Sequence, residues 1–320
     1  MSFTGGFLAW EGRMDICYLN GEWDPRSGAA GLSKASTLKV LRRPSSMRGH
    51  QLREQALLEY AHGHYVAARR DFDLSRGMIP DSHLDTLGFD LCHCYCAMME
   101  FDRKGLAGSV ARLQETLCDG GVKEVCEKLR INPQEHVLGL KQFAAGDTLS
   151  LIAGYLELSE IYARQERRDF AGLLAYRAME ALVEFGLRRL CPEFEMHRPD
   201  WAALGDPATI ADRFAKASPT GDSPLPDRLG LLSGFNLLVA LTDLGQRFVH
   251  SGKKKDAVVR MIGIAQLRNR SYLAHGYENL SKKDTEALRN AAEELARGVL
   301  AEQYGHFAEL RSRVRPLPLK

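Results

Sequence analysis

The residues with the most chemical content sit in one run: Leu267-Arg268-Asn269-Arg270-Ser271-Tyr272-Leu273-Ala274-His275-Gly276. The apolar spacing before it predicts a helix over 254–275. Positions 268 and 275 of such a helix are about two turns apart and share a face, whereas Arg270 points elsewhere. Gly276 stands where helices often end on glycine. His275 then falls in the last turn, where the negative end of the helix dipole favours imidazolium. A guanidinium and an imidazolium on one face can bind a phosphate and give it a proton. The two side chains start about 10 Å apart along the helix. A two-fold axis pairing two such helices would gather Arg and His from both chains in one cleft.

Lys253, Lys254 and Lys255 open the same helix. From Arg247 to Arg270 there are seven basic residues (247, 253, 254, 255, 260, 268 and 270) against one acid, Asp256. Such a patch suits a phosphate backbone; the alternative is an ordinary solvated helix face. The whole chain carries 43 basic and 41 acidic residues, so this signal is local.

Other chemistry is thinner. Cys92-His93-Cys94-Tyr95-Cys96 lacks the second ligand pair of a zinc site, so the thiols read as buried and inert. His62 and His64 flank a turn glycine and read as surface or packing residues. No dinucleotide or P-loop glycine pattern is present.

The elements that must position this run are mostly helical. A length of 320 residues with 45% apolar and 26% charged composition predicts two or three folded domains and excludes disorder. No apolar run reaches membrane-span length, and no basic region followed by an apolar stretch stands at the N-terminus, so a secretory signal is not expected. Seven cysteines without framework spacing point to a reducing, cytoplasmic setting. The glycine-rich first 45 residues hold two strand-like runs, 15–19 and 37–41. From 49 the pattern is helical. A hairpin breaks at His62-Gly63-His64 with a tetratricopeptide-like cadence, partly repeated at 161–175. Helices follow over 85–101, 105–118 and 122–129. Residues 132–146 read as a domain boundary, 149–165 and 168–190 as a strong helix pair. The proline-bearing stretch 192–226 reads as a loop with a short helix near 208–217. Helices over 229–248, 254–275 and 282–307 complete the pattern, and 311–320 reads as a frayed basic tail.

Arg268-Asn269, five residues, then His275-Gly276 resembles the ribonuclease motif of HEPN domains. The fuller Leu-Arg-Asn-Arg-Ser-x-Leu-Ala-His-Gly variant is similar to that of ancillary type III CRISPR ribonucleases, which join a CARF sensor to a C-terminal HEPN nuclease. Asp169-Phe170-Ala171 with Tyr176-Arg177-Ala178-Met179-Glu180 resembles the early HEPN helix. Glu59-Tyr60 through Tyr65-Val66-Ala67-Ala68 resembles the helical linker, and Thr4-Gly5-Gly6 with Tyr18 to Pro25 the end of the sensor. After the Thr4-Gly5-Gly6 run the family shows Thr-Lys and a helix. Here Phe7 follows, and residues 7–14 are too few for that helix.

The resemblance implies a mainly α fold: a truncated CARF-like remnant with a short β portion over 1–46, a helical linker over 47–146, a HEPN helical bundle over 147–310 and the tail. It implies a homodimeric, metal-independent endoribonuclease of antiviral defence that needs no cofactor. Single-stranded RNA is cut to a 2′,3′-cyclic phosphate and a 5′-hydroxyl. Arg268 would neutralise and orient the phosphate, His275 would protonate the leaving 5′-oxygen or stabilise the phosphorane, and Asn269 would bond the phosphate or hold Arg268. Arg270, Lys253, Lys254 and Lys255 would steer the strand. Arg177 and Glu180, three apart on one helix, would form a supporting ion pair. Activation by cyclic oligoadenylate is implied only where the sensor is intact. The alternative is a non-catalytic helical module that binds RNA or a partner.

Overall fold

The computed structural model describes residues 16–19, 22–24, 29–31, 38–41, 44–221, 224–248, 254–274 and 276–319. Lys253, His275 and the run Thr4-Gly5-Gly6 lie outside them. The protein is mainly α, and the chain forms two compact units. One comprises residues 1–96, 111–131 and 318–320; the other comprises 97–110 and 132–317.

In the first unit, the expected strand runs appear as β1 (Ile16–Leu19) and a later antiparallel partner, with Cys17 opposite Val40. Between them, β2 (Glu22–Asp24) and β3 (Ala29–Gly31) pair antiparallel; the partner of β1 is β4 (Leu38–Leu41). The hairpin of α1 (Pro44–His62) and α2 (Tyr65–Arg76) breaks where the glycine stands. Gly63 adopts φ 83°, and the N–H groups of Gly63 and His64 donate back to Tyr60 and Glu59. That left-handed turn closes the last carbonyls of α1 and suits glycine. The rings of Tyr60, Tyr65 and Tyr95 pack together behind it.

Helix α3 (His83–Met99) crosses α2 at Gly88, where a Cβ would run into the Phe72 ring. It buries Cys92, Cys94 and Cys96. Burial pushes the Cys94 thiol up to about 12, consistent with an inert thiol. The fully buried Asp85 is paired with Arg53 at 2.8 Å and accepts from Ser75 and Ser82, so its charge is compensated. Helices α4 (Arg103–Thr116) and α5 (Gly120–Leu129) follow.

The second unit holds the motif. The stretch 132–146, expected as a boundary, begins where the second unit resumes at Asn132, but it is helical, forming α6 (Pro133–Ala145). Its proline and glycine are end signals: Asn132 caps the first turn, Pro133 occupies it, and Gly146 closes it at φ 82°. The expected strong pair is α7 (Thr148–Arg164) and α8 (Arg168–Leu190). Helix α8 is central. Ala171, Ala175, Ala178, Met179 and Leu182 on one side are buried, and the three alanines let neighbouring helices approach closely.

The proline-bearing stretch contains α9 (Trp201–Leu204) and α10 (Pro207–Ala217), the latter where a short helix was expected. The helix expected over 229–248 divides into α11 (Leu231–Leu241) and α12 (Leu244–Phe248). Thr242 leaves the helical conformation there, and its hydroxyl oxygen accepts from the Leu244 N–H. Then come α13 (Lys254–Arg270) and α14 (Lys282–Val299), the second opened by a Ser281–Asp284 capping box. Helices α7, α14, α11 and α13 all pack on α8.

The expected frayed tail is corrected as well. The helix expected to reach 307 ends at Val299, and a 3-10 turn (Ala301–Gln303) leads into α15 (Tyr304–Val314). Arg311 and Arg315 both bond the buried Glu157, and Arg311 also bonds Glu293. A buried carboxylate needs such partners, and that demand orders the segment.

Candidate active site

Helix α13 ends at Arg270, five residues before His275. The reading that put Arg268 and His275 on one continuous helical face is therefore corrected. The cause lies far away in sequence. The Ser271 hydroxyl donates to Asp169 Oδ1 at 2.7 Å, and the Leu280 N–H donates to the same oxygen at 3.2 Å. Asp169 sits in the first turn of α8, so one carboxylate pins both ends of the 271–280 loop to that helix.

The loop then folds on itself. Ala274 and Gly276, the residues flanking His275, both donate to the Ser271 carbonyl, at 2.9 and 3.1 Å. Tyr272 donates to the Glu278 carbonyl, and Glu278 donates to that of Arg270. Gly276 lies against the backbone of Arg270, where a Cβ would overlap the carbonyl. Its role is close approach to the end of α13, in place of the helix stop expected for it.

Arg268, in the last turn of α13, is held without a carboxylate partner among the described residues. Its guanidinium lies 4.9 Å from the ring centroid of Tyr176 on α8, and Nη1 donates to Asn269 Oδ1 at 3.2 Å. Asn269 thus holds Arg268. The Arg268 Nε is buried and makes no hydrogen bond. A cation stacked on a ring keeps its full charge and its outward N–H groups for an anion. Burial and the Glu180 carboxylate raise the Tyr176 hydroxyl above its ordinary value, while Arg268 and Arg177 pull it the other way. Arg177 and Glu180 form the expected ion pair at 2.7 Å. They line a cleft of about 340 Å³ with Tyr155, Glu184 and His197.

The basic stretch is less free than its sequence implies. Lys254, expected to steer RNA, donates from Nζ to the Ala240 carbonyl at 3.1 Å and closes the C-terminal end of α11. Arg247 pairs with Asp243, and Arg260 with Glu294 and the Phe248 carbonyl. Lys255 and Arg270 are exposed. The expected patch therefore reduces, among the described residues, to these two and Arg268.

Tyr176, Asp169 and Ser271 received no role from sequence. An acid in the first turn of a helix ordinarily serves that helix's own N–H groups, so nothing local marks Asp169 as the partner of a residue 102 positions on. Tyr176 lies beside Arg177 in the early-helix run, and that adjacency was its one available signal. Among the described residues no three His, Cys, Asp or Glu side chains are grouped to hold a metal ion, and no helix is long and apolar enough to cross a membrane.

No curated protein matches the chain. Residues 141–299 match the Csm6 HEPN domain family. The matched span runs from within α6 to the end of α14 and contains Tyr176, the Arg177–Glu180 pair and the whole 268–276 run. The helical bundle that brings Arg268 against α8 is a HEPN domain of the kind found in the Csm6 family of CRISPR-associated ribonucleases.

Proposed function

We propose that the protein is a metal-independent endoribonuclease of CRISPR antiviral defence that cuts single-stranded RNA as a homodimer. The observation that carries this reading is Arg268: a charged, ring-stacked guanidinium with no carboxylate partner among the described residues, at the mouth of a tightly folded loop bearing His275. The RNA 2′-oxygen attacks the adjacent phosphorus and gives up its proton to water. The bond from phosphorus to the 5′-oxygen breaks, and His275 supplies that oxygen with a proton. The products are a 2′,3′-cyclic phosphate and a 5′-hydroxyl. Arg268 stabilises the charge that builds on the phosphoryl oxygens, and Asn269 keeps it aimed. Arg270 and Lys255, with Lys253, guide the strand.

The test is cleavage of a labelled single-stranded RNA in excess chelator by wild type, Arg268→Ala and His275→Ala. Wild type is expected to cut. Each variant should be slower by roughly 10²–10⁴-fold, with light scattering showing the same dimer in all three. Absence of cleavage by a folded wild-type dimer would favour the binding-module alternative.

A further inference from the structure

A second cleft, of about 420 Å³, opens beside the same loop. It is lined by Tyr272 and Leu273 from the loop and by Arg167, Arg168 and Phe170 from the start of α8. Its volume is in the range of sites that hold a small molecule or a single nucleotide, roughly 300–1,000 Å³. Its Arg167 and Phe170 belong to a guanidinium–aromatic cluster that the buried Tyr162 completes from behind. The Tyr162 and Phe170 rings stack at 5.5 Å, and the Arg167 guanidinium lies over both, 4.8 and 4.3 Å from their centroids. Tyr272 is 68% exposed. Of the acids present, Asp169 is already bonded to Ser271 and Leu280, which leaves two guanidinium groups against Glu166.

We infer that this cleft is a nucleobase subsite, in which an unstacked RNA base is held between Tyr272 and the Arg167–Phe170 platform. A flat guanidinium backed by aromatic rings, beside a free tyrosine ring, is chemistry that takes a π-face and a neighbouring phosphate together. The continuity is covalent: Tyr272 is four residues from Arg268, and Ser271 between them is fixed to Asp169 on the cleft wall. A base seated here places its own backbone beside the 268–276 loop. The inference rests on the ribonuclease reading for the identity of the ligand, but its readout is binding.

The experiment compares His275→Ala with His275→Ala/Tyr272→Leu and His275→Ala/Tyr272→Trp, all as full-length chains. Anisotropy measures their binding to a labelled single-stranded RNA, to the same strand carrying one abasic nucleotide at each position in turn, and to a duplex of equal length. The leucine variant should bind the single strand roughly tenfold more weakly, the tryptophan variant should bind like the parent, and duplex binding should be equal in all three. One abasic position should weaken the parent by a similar factor and leave the leucine variant unchanged. Equal single-strand affinities overturn the inference, as does a loss that extends equally to the duplex, or no binding of single strands by the parent. A loss that tracks a weakened dimer by light scattering also overturns it, and assigns the surface to a second copy of the chain. Tyr272-dependent binding without any cleavage by wild type upholds the subsite and refutes the nuclease; cleavage with Tyr272-independent binding does the reverse.

Discussion

At the scale of single residues, the site depends on contacts that tolerate very little change in shape. Gly276 touches the Arg270 carbonyl, so Gly276→Ala must push the loop away from the end of α13. A displacement near 1 Å at a reacting group costs about 100-fold in rate. The overpacking itself costs ~1–3 kcal/mol. Gly276→Ala is therefore expected to fold, to melt a few degrees lower in a thermal scan, and to lose nearly all RNA cleavage. Tyr176 supports Arg268 through its ring, 4.9 Å away. Tyr176→Phe keeps that ring and should cleave like wild type. Tyr176→Leu removes a cation–π contact worth ~0.5–2 kcal/mol and should lower kcat roughly tenfold. Steady-state kinetics on a short RNA decide between these outcomes.

At the scale of elements, the end of α13 is decided by α8. Asp169 Oδ1 receives both the buried Ser271 hydroxyl and the Leu280 N–H. Hydrogen bonds to a charged group contribute ~1.5–3 kcal/mol, and an orphaned buried donor costs a similar amount. Asp169→Ala should release the 271–280 loop while leaving the helical core intact. Hydrogen exchange should quicken across 271–280 but remain slow in α8 and α14, and cleavage should be lost. Asp169→Asn retains an acceptor oxygen and should preserve most of the loop's protection.

At the scale of the whole molecule, stability in mild acid depends on a buried imidazole. His136 on α6 is 1% exposed and its Nδ1 bonds the Arg313 carbonyl on α15 at 2.7 Å. Burial lowers it from 6.5 to about 4. The unfolded chain binds a proton near 6.5 that the folded chain refuses, so stability is complete above that value and falls as pH drops towards 4. The loss across that window is about 3 kcal/mol. Urea titrations at a series of pH values should show this slope in wild type, and His136→Gln should abolish it even though the variant is less stable throughout.

Much of this protein is local in its sequence. The helix pair 148–164 and 168–190 is legible because its apolar spacing and flanking turn leave one solution, and the turn at Gly63 because glycine suits a left-handed closure. The Arg268-Asn269…His275-Gly276 run and the Arg177–Glu180 pair are likewise short-range patterns. What sequence could not supply is every feature set by a distant partner. The termination of α13 at Arg270 follows from Asp169, and the order of 311–315 from the buried charge of Glu157. Lys254 is tied to a carbonyl at the end of α11, and Tyr176 has a role because α13 lies across it. Periodicity reports which face of an element is apolar. It carries no record of which carboxylate, ring or carbonyl another element will bring to that face, and only the packing of the bundle decides that.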